Sequence, residues 1–198
     1  MQIRRIILVG LMIVLAFALS ATGCIPVKPS QDNFKMPTVT LSQVEVASYW
    51  GWWYYSSQVE PTKGKADNRG APLVLAFVFE ITNPNEYPVV LDDFRFTVAF
   101  EDFDLNTVNA YESMWIPAGK TNELRVPAVF DARTSMMSLG VTGGFKLKEK
   151  NVSIFDQLES WWTGISAFSF PVYVKEGAAQ FGADGVSAVV AFSGKFPE

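Results

Sequence analysis

Apolar residues recur at every second position along most of the chain after Pro37, and a period of two is typical of β-strands. Turn-forming residues separate the runs. The candidate strands cover 39–46, 73–81, 94–100, 111–116, 124–130, 168–174 and 186–192. About seven short strands of this kind predict an all-β fold, in which two sheets pack as a sandwich.

One slip in the alternation predicts a local irregularity in the first strand. The apolar phase changes between Leu41 and Val44, as a β-bulge would cause.

One segment has the spacing of a helix instead. In 151–165 apolar residues recur at intervals of three or four, with Ser153 as candidate N-cap and Gly164 as candidate end. We therefore expect one short helix near 153–163, which covers one end or edge of the sandwich. One of Trp161 and Trp162 should lie in the core.

The first 23 residues have the layout of an export signal. Arg4 and Arg5 precede an uncharged apolar stretch of 14 residues, 6–19, and small residues follow. A membrane-spanning helix needs roughly 20 residues, so this stretch is short for a permanent span. We interpret 1–23 as a signal peptide.

The end of this signal resembles a bacterial lipobox, in which a small residue precedes a cysteine that is lipidated and becomes the new N-terminus. Here the box is Ala21-Thr22-Gly23-Cys24, with Ala21 where Leu is usual. Cys24 is the only cysteine, so an intrachain disulfide is impossible. Lipid on Cys24 would hold the protein on a membrane, facing the periplasm or the cell exterior. Ile25 after the cysteine resembles outer-membrane sorting in a Gram-negative cell. An uncleaved anchor, or an ordinary signal with an incidental cysteine, is the alternative.

A tether should follow the lipidated cysteine. Residues 24–37 include three prolines and scattered polar residues, which predicts a flexible segment. The 13 residues after Cys24 span at most ~40 Å when extended. Residues 38–198 then form one domain, large enough for a core of its own.

Charge and composition exclude several functions. Without Arg4 and Arg5 the chain keeps 14 basic against 20 acidic residues, a net charge of −6, which disfavours nucleic acid as a partner. Histidine is absent, so the commonest general base and metal ligand is missing. We predict no catalytic residues, no cofactor and no metal.

Two short motifs imitate ligand sites. "AGKT" at 118–121 resembles the end of a phosphate loop, but Met114 stands where its first glycine belongs, so a turn between strands is favoured. "EDFDLNT" at 101–107 has oxygen ligands at alternate positions, as in a calcium loop. It lacks the glycine and the distal glutamate of such loops, so a solvated hairpin is favoured.

The most unusual stretch is "YWGWWYY" at 49–55, in which six of seven residues are aromatic. Six such side chains exceed the apolar patch of a few hundred Å² that a soluble monomer usually exposes. If the phase of the first strand continues, Trp50, Trp52 and Tyr54 point into the core. The candidate interaction surface is then the outward set of Tyr49, Trp53 and Tyr55. This surface would suit a partner protein, a bilayer interface or a sugar, unless all six rings are buried.

Two further motifs carry a family resemblance. "FEITNPNEYPVVL" at 79–91 runs from a strand into Asn83-Pro84-Asn85 and on into a strand. "WIPAGKTNELRVPAVF" at 115–130 is a turn followed by an alternating strand. In this order they resemble the group 2 late embryogenesis abundant family, also called the WHy (water stress and hypersensitive response) domain.

The resemblance implies an immunoglobulin- or fibronectin-III-like β-sandwich with a helix. It also implies a role in desiccation and water stress, with no established catalytic residues and a structural role for Asn83, Pro84 and Asn85. The aromatic stretch between the first two strands is long for the family.

We therefore expect a non-enzymatic, membrane-anchored lipoprotein of the cell envelope, related to water-stress protection. The alternative is an accessory subunit of an envelope protein complex, docked through the aromatic segment. A subunit of that kind should expose Tyr49, Trp53 and Tyr55, whereas a freestanding protector should cover them.

Overall fold

A computed structural model describes residues 27–52, 55 and 70–197 of the chain. The signal peptide at 1–23, the lipidation site Cys24 and the aromatic residues Trp53 and Tyr54 lie outside the described residues, so the predictions about them stay predictions.

The described chain forms two antiparallel sheets, which confirms the predicted β-sandwich. One sheet has the strand order β1-β2-β6, and the other has the order β4-β3-β7-β8 with β5 beside β3. The strands are β1 (Thr38–Tyr49), β2 (Pro72–Thr82), β3 (Val89–Phe100), β4 (Phe103–Ala110), β5 (Met114–Ile116), β6 (Thr121–Asp131), β7 (Val172–Ala183) and β8 (Val186–Phe196).

The core lies between the sheets and is rich in phenylalanine. The alternate residues of β2 that should share one face are all fully buried: Leu73, Leu75, Phe77, Phe79 and Ile81. Phe94 and Phe96 of β3 are buried opposite them. The Phe79 ring packs edge-on against both of these β3 rings, with centroids 4.9 and 5.2 Å apart. Edge-to-face ring pairs add to the stabilisation from apolar burial, so this cluster fixes how the two sheets meet.

Most of the strand predictions are confirmed, and the bulge expected after Leu41 is present as a register shift in the pairing of β1 with β2.

Two strands differ from the prediction. Strand β4 falls partly on the segment that was expected to be a solvated hairpin, and only Glu101 and Asp102 form its turn. Strand β7 begins at Val172 rather than at Phe168, because Phe168 ends a 3₁₀ turn in the left-handed conformation.

The predicted helix is confirmed as α3 (Ile154–Gly164), whose N-cap Ser153 accepts a hydrogen bond from the Asp156 amide. Trp161 and Trp162 are both fully buried, where the sequence indicated only one.

A longer helical run was not predicted. It consists of α1 (Ala132–Ser138), a π-helical turn (Leu139–Gly143) and α2 (Gly144–Lys150). Asp131 caps its start by accepting a hydrogen bond from the Arg133 amide. Three glycines within five residues oppose a helix by propensity, at about 1 kcal/mol each, which concealed this run in the sequence.

The sandwich has two different ends. Thr38, Thr82 and Thr121 are paired neighbours at one end, called here the turn end. The helices and the aromatic segment lie at the other end, called here the helical end. Strand β2 has 11 residues and connects the two ends, which are therefore about 35 Å apart at ~3.3 Å per residue. Within the described ranges, no helix has both the length and the apolar character needed to cross a bilayer.

The aromatic cluster should dominate stability. We expect Phe79→Ala to lower the free energy of unfolding by about 3–5 kcal/mol, because it removes a buried ring and leaves a cavity between the sheets. Denaturant unfolding of the detergent-solubilised protein, followed by tryptophan fluorescence, measures the change. The control is Val129→Ala, since the Val129 side chain is 63% exposed and its truncation should cost about 0.5 kcal/mol or less. Equal losses in the two variants would contradict the assignment of the core.

Candidate functional site

The side chain of Asn83 is the hydrogen-bonding centre of the turn end. It is fully buried, and its Nδ2 donates to the backbone carbonyls of Tyr87, Ile116 and Pro117 at 2.9, 3.1 and 3.1 Å. These carbonyls belong to the β2–β3 turn, to the end of β5 and to the connection between β5 and β6. The buried amide of Asn83 therefore joins its own turn to Ile116, which lies 33 residues further along the chain.

Asn83 also shapes its own turn. Its Oδ1 accepts hydrogen bonds from both the backbone N–H and the side-chain Nδ2 of Asn85, each at 2.9 Å. Pro84 stands between them on the exposed side, where a residue with a fixed φ and no N–H suits a tight turn. The structural role that the resemblance implies for these three residues stays a prediction, which the variants described below test.

Asn85 extends this network to the segment before β1. Its Oδ1 accepts from the Lys35 amide and its Nδ2 donates to the Lys35 carbonyl, both at 2.7 Å. The Tyr87 hydroxyl donates to Asn33 Oδ1 at 2.9 Å, and burial raises the pKa of Tyr87. We call the contacts of Asn83 and Asn85 the clasp.

The clasp changes the interpretation of the tether. The sequence predicted a flexible segment through residue 37, whereas the structure fastens Asn33 and Lys35 to the domain. Asn33 in turn donates to the Lys28 carbonyl at 2.9 Å. This contact could not be read from the sequence, because Lys35 and Asn85 are 50 residues apart.

The "AGKT" motif is a turn, as favoured. Gly119 has a φ of +62°, which suits glycine, and its amide donates to the Asn85 carbonyl at 3.0 Å. Strand β6 follows at Thr121, where a phosphate loop would require a helix.

The aromatic segment does not follow the expected alternation. Tyr55 is buried at 7% exposure although it was expected to point outward, and Trp50 is 47% exposed although it was expected in the core. A second register shift, between Val46 and Ser48, changes the phase of β1 before the segment begins. Strand β1 then ends at Tyr49, so a period of two no longer applies.

The described rings of this segment pack on the helices. Trp52 contacts Tyr55 and Phe155 of α3, with ring centroids 5.1 and 4.9 Å apart. The Tyr55 hydroxyl donates to the Met136 sulfur at 3.3 Å, and burial raises the pKa of Tyr55.

The structure describes two members of the proposed interaction surface, Tyr49 and Tyr55, and Tyr49 is the more exposed of the two. It is 36% exposed, but its hydroxyl donates to the Trp162 carbonyl, and burial raises its pKa. Trp53, the third member, lies outside the described residues. The candidate surface of Tyr49, Trp53 and Tyr55 is therefore not continuous, because Tyr55 is inside.

The acidic residues near the β3–β4 turn are paired with lysines. Lys150 Nζ lies 3.0 Å from Asp102 Oδ1, and Lys175 Nζ lies 2.8 Å from Asp104 Oδ1. Burial raises the pKa of the Asp102 carboxyl, but the hydrogen bond from Lys150 and the nearby positive charges leave that pKa below its usual value. The hydrogen bond to Asp102 in turn raises the pKa of Lys150.

These ion pairs border an open depression on the helical end, which is also lined by Pro171 and Tyr173. Among the residues that the structure describes, no group of three or more acidic side chains is arranged to hold a metal ion.

No protein-family profile and no curated protein matches the chain. It is similar to the crystal structure of a protein from Archaeoglobus fulgidus, with a TM-score of 0.41, 10% identity, and 79% of this chain and 94% of that chain covered. It is also similar to the X-ray structure of a target of the Northeast Structural Genomics Consortium, with a TM-score of 0.40, 11% identity, and 85% and 91% covered. At these values neither likeness bears on function.

Replacing the central amide tests the clasp. We expect Asn83→Asp to lower the free energy of unfolding by about 3 kcal/mol or more at neutral pH, because a carboxylate cannot donate to the three carbonyls and would be a buried charge. Burial should raise the pKa of the introduced carboxyl above its unfolded value of about 3.9. The loss should therefore be full above the folded pKa, should shrink as the pH falls from that pKa towards about 4, and should stay at its minimum below about pH 4, where the group is neutral in both states.

The matched control is Asn109→Asp, the same change at an exposed position of β4. Denaturant unfolding at several pH values compares the two variants. A small and pH-independent loss for Asn83→Asp would contradict the proposed hydrogen bonding.

Removing the second amide tests the attachment of the N-terminal segment. We expect Asn85→Ala to speed trypsin cleavage after Lys35 about thirtyfold, because two hydrogen bonds worth ~1 kcal/mol each no longer oppose local opening. Mass spectrometry of timed digests gives the rate, with Asn109→Ala as the control. An unchanged rate would mean that other contacts hold the segment.

Proposed function

We propose that the protein is a non-enzymatic, membrane-anchored lipoprotein whose β-sandwich, of the group 2 late embryogenesis abundant type, protects envelope components during water loss. The observation that carries the proposal is the clasp. Asn85, a residue of the motif on which the family resemblance rests, fastens the segment leading to Cys24 onto the domain, and Asn83 holds Asn85 in place. In this proposal Cys24 is lipidated after removal of residues 1–23, and the domain is held at the membrane by its turn end.

The length of chain between the lipid and the domain supports close attachment. From Cys24 to Lys28 there are four residue steps, which span at most ~14 Å. The domain would face the periplasm or the cell exterior, from the outer membrane if the cell is Gram-negative. Its turn end would then lie next to the lipid headgroups.

The burial of Trp52 and Tyr55 favours a freestanding protector over a subunit docked through the aromatic segment. Trp52 and Tyr55 are covered by the α3 side chain Phe155 and by Met136, and the hydroxyl of Tyr49 is already hydrogen-bonded. A protector of this kind would act by weak surface binding and not by chemistry. The paired charges at the β3–β4 turn and the absence of histidine agree with a role without catalysis.

Lipidation and protection are tested together in cells. We expect Cys24→Ser to abolish labelling of the protein by a radioactive fatty acid and to release it from the membrane fraction, because the acyl chains are lost. Survival after drying should fall to the level of a strain that lacks the gene. The control is Ala21→Leu, which keeps the cysteine and should remain labelled, bound and protective.

Two results would reject parts of this proposal. An unlabelled wild-type protein would exclude the lipid anchor. Normal survival of the deletion strain after drying would exclude the protective role, whatever the labelling shows.

A second candidate function is that of an accessory subunit of an envelope protein complex. The surface that favours it lies on the helical run Ala132–Lys150 and not on the aromatic segment that the sequence indicated. The helical run carries exposed apolar side chains at the end of the domain farthest from the clasp.

A further inference from the structure

The helical run Ala132–Lys150 has one buried face that repeats every four residues. Its members are Ser135, Leu139, Gly143 and Leu147. An α-helix repeats every 3.6 residues, so its buried face would drift over this length. The π-helical turn closes wider i→i+5 hydrogen bonds, and this keeps the four positions on one side.

The opposite face carries three exposed apolar side chains at the same spacing. Met137, Val141 and Phe145 are 58%, 86% and 89% exposed, and we call them the stripe. Gly140 and Gly144 lie beside them and carry no side chain; a Cβ at Gly144 would stand in open space, and one at Gly140 would lie 3.9 Å from Ile154 Cδ1. The three side chains therefore project as separate knobs that another surface can approach closely.

The helical run cannot rotate about its axis to bury the stripe, because its opposite face is packed on the sandwich. A side chain at Gly143 would meet the Phe103 ring at 2.8 Å, so this face of the run is in direct contact with the sandwich. Lys146 also donates to the Asp102 carbonyl at 2.6 Å. Single exposed apolar residues are common, but an aligned set of a few hundred Å² on a monomer often marks an interaction site.

The position of the stripe limits what can cover it. It lies at the helical end, about 35 Å along β2 from the clasp. The chain leaves the domain toward Cys24 at the turn end, where Lys35 is bound by Asn85. If the lipid anchor of the proposed function is correct, on which this step rests, the stripe points away from the membrane that holds the protein.

The charges around the stripe also disfavour a lipid surface. An interfacial helix usually combines an apolar face with basic residues that attract anionic lipids. Here Lys150 is paired with Glu101 and Asp102 at 3.5 and 3.0 Å, and Lys146 lies 4.0 Å from an Asp102 oxygen. These pairs neutralise one another, and Lys148 stands next to Glu149 in the run, so the run carries no strong excess of positive charge beside the stripe.

The size of the stripe disfavours a second copy of this chain. A stable dimer of standard size buries about 800 Å² on each partner. Three side chains in one row provide a few hundred Å², which suits a single helix face inserted into a groove.

We propose that the stripe of Met137, Val141 and Phe145 docks into an apolar groove of another envelope protein, with the helical run as the inserted element. The side chains occupy pockets one helical turn apart, and Gly140 and Gly144 let the groove walls close around them.

Site-specific photo-crosslinking of the full-length protein in its own cells tests this surface. A benzophenone amino acid is placed at position 141 or 145 and, as controls of similar exposure, at Val129 on β6 and Trp115 at the turn end, which are 63% and 65% exposed. We expect one discrete adduct from 141 and 145, with the same protein in both, and none from the controls. Mass spectrometry of the crosslinked peptides should map the contact to an apolar groove of that protein.

A charge in the stripe should prevent the contact. We expect Met137→Glu to reduce the adduct from position 145 at least tenfold, whereas Val129→Glu, an exposed change outside the stripe, should leave it unchanged. Circular dichroism of both variants establishes that the fold is retained.

Four results would overturn the inference: no adduct above that of the controls, an adduct of this chain with itself, an adduct with lipid, or a contact that maps to a polar, flat surface. Fatty-acid labelling of the same cells separates the two proposals. A labelled protein without the adduct rejects the docking alone, and an unlabelled protein with the adduct rejects the anchor alone.

Discussion

The arrangement of the turn end depends on satisfying one buried amide. Asn83 has no contact with water, so each of its polar atoms must find a partner inside the protein or cost about 1–3 kcal/mol. Its partners come from the β2–β3 turn and from the β5–β6 connection, which brings both sheets to a common point. Asn85 then carries the same network outward to Lys35. The position of the N-terminal segment is thus a consequence of a core hydrogen bond.

The sequence was sufficient for the two sheets, because a period of two survives wherever one strand face is buried, as along Leu73 to Ile81. It was also sufficient for α3, since Ser153 and the apolar spacing agree. It failed where backbone geometry departs from the regular repeat. A second bulge before Ser48 placed Tyr55 inside and Trp50 outside. A π-helical turn and three glycines hid the run before Lys150.

The candidate sites divide between the ends of the sandwich for a physical reason. Strand ends at the turn end are closed by short turns, which leave backbone groups that Asn83 and Asn85 satisfy. At the helical end the connection from β6 to β7 is long, and it buries its apolar face on the open end of the core through Trp161 and Leu147. The Asn83-Pro84-Asn85 turn could be located from sequence because these residue types signal a turn locally, although their long-range partners could not. The stripe could not, since exposure is a property of the whole fold.

The pairing of Lys35 with Asn85 has a mechanical consequence for a protein held by its N-terminus. If Cys24 carries the lipid anchor proposed above, a pulling force on it reaches the two side-chain hydrogen bonds at Asn85 before it reaches β1. Beyond them, the force acts along the axis of β1, so the hydrogen bonds between β1 and β2 are loaded in shear, all together, and not peeled apart in sequence. The two hydrogen bonds between Lys35 and Asn85 are therefore the first to break. Strand β1 then resists the remaining force in shear, with its hydrogen bonds to β2 loaded together.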